Sequence, residues 1–232
     1  MEEIKNPLQI ESINEDYLFK IIVVGDCGVG KSNILSKYSK NIFNKSSQIT
    51  MGVELITKYY KYENKIIKVN IWDTAGQEKF TSLIPTYYKN AKGAFLVYDI
   101  TRKDTFNHIE NWLRELTSIN SDKISIILIG NKSDLYGEQR DIIVQEGEKF
   151  SQDIDAHFIT CSAKNADNMD NLERFILTEA RRFIDEEEKY LNSIKNDNNS
   201  DNNNKSNENK NFSINKENTN NNKDIKKGKC CK

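Results

Sequence analysis

The segment YLFKIIVVGDCGVGKS, residues 17–32, constrains the fold of this chain more than any other. It begins with a short apolar run that ends in glycine, a pattern typical of a β-strand buried on both faces. A helical pattern follows from about Lys31 to Ser39. Strand, glycine-rich loop and helix in this order match G-x-x-x-x-G-K-[ST], which predicts a phosphate-binding loop. The alternative, a chance glycine-rich turn, does not explain the flanking strand and helix.

The residue types in this loop suit phosphate and Mg²⁺. Gly25, Gly28 and Gly30 let successive backbone N–H groups converge on an anion without hindrance from side chains. The ammonium group of Lys31 can reach the outer phosphates, and the hydroxyl of Ser32 can bind Mg²⁺. The loop alone does not distinguish ATPases, kinases and GTPases.

Apolar runs along the rest of the chain predict strands that alternate with helices. ELITKYYKYENKIIKVNIWDT is typical of a hairpin that turns at residues 63–65, and GAFLVYDI, ISIILIG and HFITCS are typical of further strands. TFNHIENWLRELTSI and NMDNLERFILTEARRFIDEEEKYL have helical spacing. We therefore predict an α/β fold with a six-stranded, mainly parallel sheet, one antiparallel edge strand and helices on both faces. Functional residues are expected just after the strands.

Composition divides the chain into a globular part and a polar tail. With 232 residues and 37% hydrophobic content, the chain can bury one good core. From about Leu191 asparagine dominates, and too few apolar residues remain to offset the entropy of ordering. We predict an N-terminal extension at residues 1–15, a globular domain at 16–190 and a disordered tail at 191–232. The net charge of −1 gives no support for a nucleic-acid partner.

The sequence contains no pattern typical of secretion, myristoylation or a membrane span. Its start, MEEIKNPLQI, has no uninterrupted apolar stretch, and glutamate at the second position excludes N-myristoylation. No run approaches the about 18 apolar residues that a spanning helix needs. Cys27 and Cys161 are isolated, without the spacing of a disulfide scaffold or a zinc site, which favours a reducing compartment.

Two later segments indicate guanine as the bound base. ILIGNKSDL places Asn131, Lys132 and Asp134 directly after an apolar strand, in the pattern N-K-x-D. The carboxylate of Asp134 can accept hydrogen bonds from the ring N–H and the exocyclic amine of guanine, whereas adenine offers neither donor there. The aliphatic stem of Lys132 can cover the base. In TCSAKN, residues 162–164 can close over the base, with a backbone N–H near Ala163 directed at the guanine carbonyl.

The segment NIWDTAGQEKF, between these motifs, resembles the small GTPases of the Ras superfamily, and the resemblance covers roughly residues 16–185. It implies the P-loop NTPase fold known as the small G-domain. It also implies that Asp73 holds Mg²⁺ through a water molecule, that the N–H of Gly76 contacts the γ-phosphate, and that Gln77 orients the attacking water. In SQITMGVEL, the resemblance makes Thr50 the second protein ligand of Mg²⁺. Phe43 matches an aromatic residue that packs edge-on against the guanine.

Together, the motifs and the resemblance assign four sets of site residues. The GTP-binding set is Gly25, Asp26, Cys27, Gly28, Val29, Gly30, Lys31, Ser32, Phe43, Thr50, Asp73, Gly76, Asn131, Lys132, Asp134, Ser162, Ala163 and Lys164. The catalytic set is Gln77, Lys31 and Thr50, and the Mg²⁺ set is Ser32, Thr50 and Asp73. The switch and effector set is Ile49, Met51, Gly52, Val53, Glu54, Leu55, Trp72 and Tyr87.

Within the superfamily the sequence motifs are most similar to those of Rab proteins, as in WDTAGQEKF, YYKNAKGAFLVYDIT and GNKSDL. An insertion that is typical of Rho proteins after N-K-x-D is absent. The ending KKGKCCK agrees with this resemblance. A C-a-a-X box needs cysteine fourth from the end, where Lys229 stands, whereas Cys230 and Cys231 form a C-C-X ending. This ending resembles the substrates of double geranylgeranylation. Two lipid chains are expected because one gives only marginal, reversible membrane binding.

The Rab resemblance implies a set of partners and a location. The partners are an exchange factor, a GTPase-activating protein, a prenyl-transfer escort, a GDP-dissociation inhibitor and effectors, for a protein that is itself a monomer. The location is the cytoplasmic face of an intracellular membrane, with cycling through the cytosol. The function implied is a switch in vesicle trafficking, and the asparagine-rich tail is interpreted as a flexible tether.

Phosphoryl transfer to water depends mainly on positioning and charge neutralisation, here by Lys31 and Mg²⁺. Because the sequence shows no arginine evidently placed to act in cis, we predict slow intrinsic hydrolysis and a need for an activating protein. Two rival functions stay open at this point. One is a GTP-locked adaptor that does not hydrolyse GTP, against which Gln77 and Thr50 count; the other is a soluble Ran-like carrier, against which the C-terminal cysteines count.

Three positions depart from the family pattern. Cys27 stands in the phosphate loop where Rab proteins often have serine, so its thiol either slows turnover, responds to oxidation or fills space as serine would. Leu55 replaces a phenylalanine of an aromatic triad, which predicts unusual effector choice. Met51 replaces isoleucine with little change of volume. His108 and His157 lack the partners of catalytic or metal-binding histidines and are interpreted as structural or solvated.

Overall fold

The computed structural model describes residues 1–5, 13–45, 50, 52–74, 84–120, 123–135 and 140–211, with side chains at all of these positions except 84, 85, 141, 142 and 195–211. Two compact units divide the chain. The first is Met1–Asp185 and the second is Glu186–Lys232. The fold described below lies in the first unit, apart from the residues of the last helix that follow Asp185.

One sheet of seven strands runs through the described part of the first unit, in the order β1-β3-β4-β2-β5-β6-β7. The strands are β1 (Glu2–Ile4), β2 (Tyr17–Val24), β3 (Val53–Tyr62), β4 (Lys65–Thr74), β5 (Gly93–Asp99), β6 (Ser125–Asn131) and β7 (His157–Thr160). β2 is parallel to β4 and β5, and β6 is parallel to β5 and β7. β3 is antiparallel to β4, across the predicted hairpin. The predicted α/β class with a mainly parallel sheet is therefore confirmed.

The sheet contains one strand more than the predicted six, because Glu2–Ile4 of the N-terminal extension form a strand. β1 pairs antiparallel with β3, with Glu2 opposite Lys61 and Ile4 opposite Tyr59. An ion pair of 3.1 Å between Glu3 and Lys58 supports this pairing. The antiparallel strand β3 is therefore not at the edge as predicted, and β1 and β7 are the edge strands of the described sheet. The three residues of β1 are too few to produce a recognisable period in the sequence.

Six helices accompany the strands within the described residues: α1 (Lys31–Lys40), α2 (Ile84–Tyr88), α3 (Lys103–Asn107), α4 (Ile109–Ile119), α5 (Arg140–Asp153) and α6 (Met169–Asn211). Alternate residues of β2 point to opposite faces of the sheet: Phe19 and Ile21 join one buried cluster, and Ile22 joins the other. The first cluster contains residues of α1 and α6, and the second contains residues of α2, α4 and α5. Helices therefore cover both faces, as predicted.

Two helix boundaries differ from the prediction. The amphipathic stretch at 105–119 is divided at His108 into α3 and α4. The closing helix buries the predicted stripe of Met169, Leu172, Phe175, Ile176 and Ala180. It then continues to Asn211, past the predicted start of the tail at residue 191. Residues 169–211 contain neither glycine nor proline, so no residue of the usual helix-ending types interrupts it. Residues 212–232 lie outside the described part.

Candidate nucleotide site

The predicted site residues follow strands whose carboxyl ends meet at one edge of the sheet. Val23 at the end of β2 is opposite Asp73 of β4, and Asp99 at the end of β5 is opposite Asn131 of β6. The hydroxyl of Thr74 donates to the carbonyl of Val23 at 2.6 Å and ties two of these ends together. Parallel strands bind ligands at this edge, so the fold collects the sequence motifs in one place.

The phosphate loop needs glycine at two positions for steric reasons. At Gly25, with φ of 143°, a Cβ atom would lie 2.1 Å from the carbonyl oxygen of Val97. At Gly30, with φ of 101°, it would lie 2.3 Å from Nδ2 of Asn131. Both distances are shorter than any van der Waals contact, and both φ values disfavour a side chain. The neighbouring strands therefore enforce the glycine pattern of the loop.

Lys31 is buried at the start of α1 and points back into the loop. Its Nζ donates to the carbonyl oxygens of Gly25 at 2.7 Å and Asp26 at 3.0 Å. Burial lowers the pKa of Lys31, and the nearby carboxylate of Asp73 opposes that effect. The ammonium group is thus held within the loop, where the sequence predicts contact with the outer phosphates.

Ser32, Thr50 and Asp73 meet beside Lys31. The Ser32 hydroxyl lies 2.7 Å from the Thr50 hydroxyl and donates to Oδ2 of Asp73. The other carboxylate oxygen of Asp73, Oδ1, is buried and has no hydrogen-bond partner among the described residues. Burial raises the pKa of this carboxyl in spite of the Ser32 hydrogen bond and the charge of Lys31.

This cluster of oxygen atoms fits Mg²⁺. Octahedral Mg²⁺ holds oxygen ligands at about 2.0–2.1 Å, which leaves neighbouring ligands about 3 Å apart. The hydroxyls of Ser32 and Thr50 are separated by a similar distance. The unsatisfied oxygen of Asp73 has the charge and the free lone pairs that a cation or its bound water requires.

A cavity of about 260 Å³ lies next to the phosphate loop. It brings together Gly28 and Gly30 of the loop with the predicted base-binding residues. The other residues that line it are Asn33, Phe43, Asn44, Lys45, Asn131, Lys132, Asp134, Leu135, Ala163 and Lys164. Four segments that are far apart in the sequence therefore share one cavity, as the motifs predict.

The Asp134 carboxylate is held by two donors. Ser162 Oγ donates to Oδ1 at 2.7 Å, and Lys164 Nζ lies 3.1 Å from Oδ2. Burial alone would raise the pKa of Asp134, but these hydrogen bonds outweigh burial and lower it. An ionised carboxylate with lone pairs to spare is the acceptor that the two guanine donors need.

Asn131 joins the phosphate loop to the base side of the cavity. Its Nδ2 donates to the carbonyl of Val29 at 2.8 Å, and its Oδ1 accepts from the backbone N–H of Ala163 at 3.4 Å. Asp99 has a comparable role that was not predicted from the sequence: its buried carboxylate pairs with Lys132 at 2.7 Å. Its position at the end of the apolar run GAFLVYD was the available signal.

The switch residues are described only in part. Leu55, which is 45% exposed, lies opposite Trp72 in the β3–β4 pair, and the Trp72 ring stands 5.5 Å from that of Tyr87. The three members of the predicted triad are thus neighbours. Gly52, Val53 and Glu54 precede them in and before β3. Four predicted residues of this region, Ile49, Met51, Gly76 and Gln77, lie outside the described part, as do Cys230 and Cys231.

Two further observations concern the phosphate loop. Cys27 is exposed, whereas Cys161 is buried. An arginine, Arg102, lies beside the loop. Nη1 of Arg102 is 4.0 Å from the position of a Cβ atom on Gly28, and the same guanidinium pairs with Asp104 at 3.2 Å.

The sequence model of the Ras family matches residues 20–182 of the chain. The chain belongs to this family. The plant protein "Ras-related protein RABA1i" of Arabidopsis thaliana is 44% identical over 169 residues, which cover 73% of this chain and 77% of the relative. "Ras-related protein Rab-11B" of Dictyostelium discoideum is 45% identical over 171 residues, which cover 72% and 77%.

These similarities assign the chain to the Rab branch of the Ras-superfamily small GTPases, as the sequence resemblance predicted. A third relative, "Ras-related protein Rab11D" of Lotus japonicus, is 43% identical over 172 residues, with coverage of 73% and 77%. The Rab chain is accordingly a hydrolase that acts on GTP. Within its described residues, every helix is too short or too polar to cross a bilayer.

Proposed function

We propose that this Rab GTPase binds GTP and GDP with Mg²⁺, hydrolyses GTP slowly and acts as a membrane-anchored switch in intracellular vesicle trafficking. The observation that carries this proposal is the meeting of Ser32, Thr50 and Asp73 beside Lys31. A metal-binding group of oxygens next to a lysine in a phosphate loop is suited to a nucleoside triphosphate. The Rab relatives support the trafficking role.

Guanine enters the cavity that Asp134 and Phe43 line. Asp134 accepts from the ring N–H and the exocyclic amine, and Lys132, held by Asp99, covers the base. Ala163 donates its backbone N–H toward the guanine carbonyl. The ionised state of Asp134 supports this recognition, because a protonated carboxyl would lose one acceptor.

Mg²⁺, when bound by Ser32, Thr50 and Asp73, neutralises negative charge that develops on the phosphates. The chain's own residues do the remaining work. Lys31 keeps its two backbone carbonyl partners and directs its third ammonium N–H at the phosphate oxygens, and the loop N–H groups hold the β-phosphate. Gln77 orients the water. Arg102 is paired with Asp104 and leaves the slow intrinsic rate to be raised by an activating protein.

The switch follows from contacts that only the triphosphate can make. Thr50 and Gly76 hold the γ-phosphate side, and hydrolysis releases both segments. Effectors then read the surface next to them, formed by Leu55, Trp72 and Tyr87. Because Leu55 has no aromatic ring, effectors that depend on ring stacking at this point are disfavoured.

Membrane attachment occurs through geranylgeranyl groups on Cys230 and Cys231. Two chains make the attachment stable, since each buried CH₂ contributes about 0.8 kcal/mol and one chain alone dissociates readily. Nearby lysines add attraction to an anionic leaflet, on the order of 1 kcal/mol each when close to it. These lysines are Lys223, Lys226, Lys227, Lys229 and Lys232.

The first test identifies the nucleotide by chromatography, in freshly purified protein and again after incubation with GTP and Mg²⁺. Bound GDP, or GTP that converts slowly to GDP, is the expected result. Persistent GTP would favour the locked adaptor, and adenine nucleotide or none would overturn the assignment of Asp134.

Ser32→Ala should release nucleotide faster and lose the dependence of release on Mg²⁺. The matched control Ser39→Ala, in the same helix, should behave as wild type.

A further inference from the structure

Asp26, the second residue of the phosphate loop, is bound from outside the loop by two ring nitrogens. Oδ2 lies 2.7 Å from Nδ1 of His108, and Oδ1 accepts from Nε1 of Trp112 at 2.8 Å. A carboxylate can only accept hydrogen bonds, so Nδ1 of His108 carries the proton. Trp112 lies in the first turn of α4, and His108 is the residue before that helix. The sequence predicts a structural or solvated role for His108 and gives no sign of its contact with Asp26.

The backbone of Asp26 contacts the lysine that the phosphates require. Its carbonyl oxygen accepts from Nζ of Lys31 at 3.0 Å. One residue thus connects Lys31, through its main chain, to α4, through its side chain. Movement of Asp26 would displace both a partner of Lys31 and the loop N–H groups on either side.

We infer that Asp26, His108 and Trp112 form a positioning contact that keeps the phosphate loop in its anion-binding shape and slows nucleotide release. This inference rests on the proposed function, namely that the loop binds GTP and GDP. An aspartate in a phosphate-binding loop is a liability, because its charge repels phosphate. The ring N–H groups of His108 and Trp112 hold the Asp26 carboxylate beside the start of α4. Hydrogen bonds to a charged group such as this carboxylate are stronger than those between neutral groups.

The side-chain donors are not needed by α4 itself. The carbonyl of His108 accepts the N–H groups of Asn111 and Trp112, which begins the helix through the main chain. His108 is 53% exposed, so its ring contributes little to the core, whereas Asp26 is only 17% exposed. Loss of the His108 donor should therefore affect the loop more than the stability of the helix.

The test measures the release rate of fluorescent GDP, with Mg²⁺ present, in the full-length protein. His108→Leu and Trp112→Phe each remove one donor and should speed release roughly tenfold, as expected for a hydrogen bond to a charged group. His108→Asn should restore slow release, because the amide nitrogen of asparagine stands where Nδ1 does. The control His157→Asn replaces the chain's other histidine and should leave release unchanged.

A second readout separates positioning from general damage. Hydrogen exchange at the Trp112 indole N–H should be slow in wild type and fast in Asp26→Ala, while the Trp72 indole serves as internal reference. Wild-type release rates in both donor-removal variants, or equal rates in His108→Leu and His108→Asn, would overturn the inference and leave the proposed function standing. A wild-type protein that binds no guanine nucleotide would overturn both.

Discussion

Asp134 shows how two neighbours set the charge of a single residue. Its folded-state pKa is lowered because the hydrogen bonds from Ser162 and Lys164 outweigh the effect of burial. With the folded pKa below the unfolded one, its contribution to stability is complete above the unfolded value and is lost as pH falls through the folded value. We therefore expect Asp134 to stay ionised from about pH 5 to 8, well above the usual aspartate range.

Asp134→Asn should weaken GTP binding, because the new amide places a donor against a guanine donor. The loss should be about 1–3 kcal/mol, the cost of an unsatisfied polar contact. Xanthosine triphosphate carries a carbonyl in place of the exocyclic amine and should bind the variant better than it binds wild type. Competition between the two nucleotides measures the change.

The exposed Asp153 at the end of α5 provides a control, since Asp153→Asn preserves the site and should keep the preference for GTP. Equal preference for GTP in Asp134→Asn and wild type would contradict the assigned role.

Site residues differed in how far the sequence could predict them. Gly30, Lys31 and Asp134 belong to local motifs, in which spacing along the chain fixes the geometry. Asp99 and His108 act through partners that only folding brings near, 33 positions away for Lys132 and 82 for Asp26. No local pattern records such a contact, so a single sequence cannot reveal it.

At the level of secondary structure, α6 is fastened to the sheet by a buried carboxylate. Glu179, which is 3% exposed, accepts from Ser125 Oγ at 2.7 Å and from Arg182 at 2.7 Å, and His157 lies 3.4 Å away. Because Ser125 begins β6 and His157 begins β7, one side chain joins a helix to two strands.

Glu179→Ala should lower the free energy of unfolding by about 1–3 kcal/mol, because the hydrogen bonds and the ion pair of its buried carboxylate are lost. Urea unfolding followed by circular dichroism measures this quantity. The exposed Glu148 of α5 offers a matched control, and Glu148→Ala should stay within about 0.5 kcal/mol of wild type. An equal loss in both variants would show that Glu179 does not fasten the helix.

The elements that the sequence predicted best are those with buried faces. β2 and β6 were recognisable because packing on both sides demands a continuous apolar run. The stripe of α6 was recognisable because one face is buried at helical spacing. β1 escaped prediction because its hydrogen bonds come from β3 and its Glu2 and Glu3 resemble an ordinary polar terminus. The division at His108 interrupts neither apolar spacing nor composition.

At the scale of the whole molecule, attachment to a membrane is expected to depend on two cysteines and not on the folded domain. Replacement of both Cys230 and Cys231 by serine should abolish the two geranylgeranyl masses and move the protein to the soluble fraction. Replacement of one should leave a single lipid and reversible binding. Mass spectrometry and flotation with vesicles, on protein from cells that supply the lipid, measure both effects.

Cys27→Ser leaves both C-terminal cysteines in place and serves as the control, which should carry two lipids. Membrane binding by the double replacement, or unmodified cysteines in protein from such cells, would contradict the anchoring proposal. Nucleotide content should be the same in wild type and in the variants at Cys230 and Cys231. The control Cys27→Ser is left out of this comparison because it alters the phosphate loop.

The contacts of Asn131 affect how a partner protein can promote release of the nucleotide. Its side-chain amide is hydrogen-bonded to Val29 in the phosphate loop and to Ala163 in the loop that contacts the base. A shift of either loop therefore strains the hydrogen bond to the other. A partner protein that displaces only the phosphate loop would therefore also weaken the contacts to guanine. GDP would then dissociate although the partner makes no contact with the base.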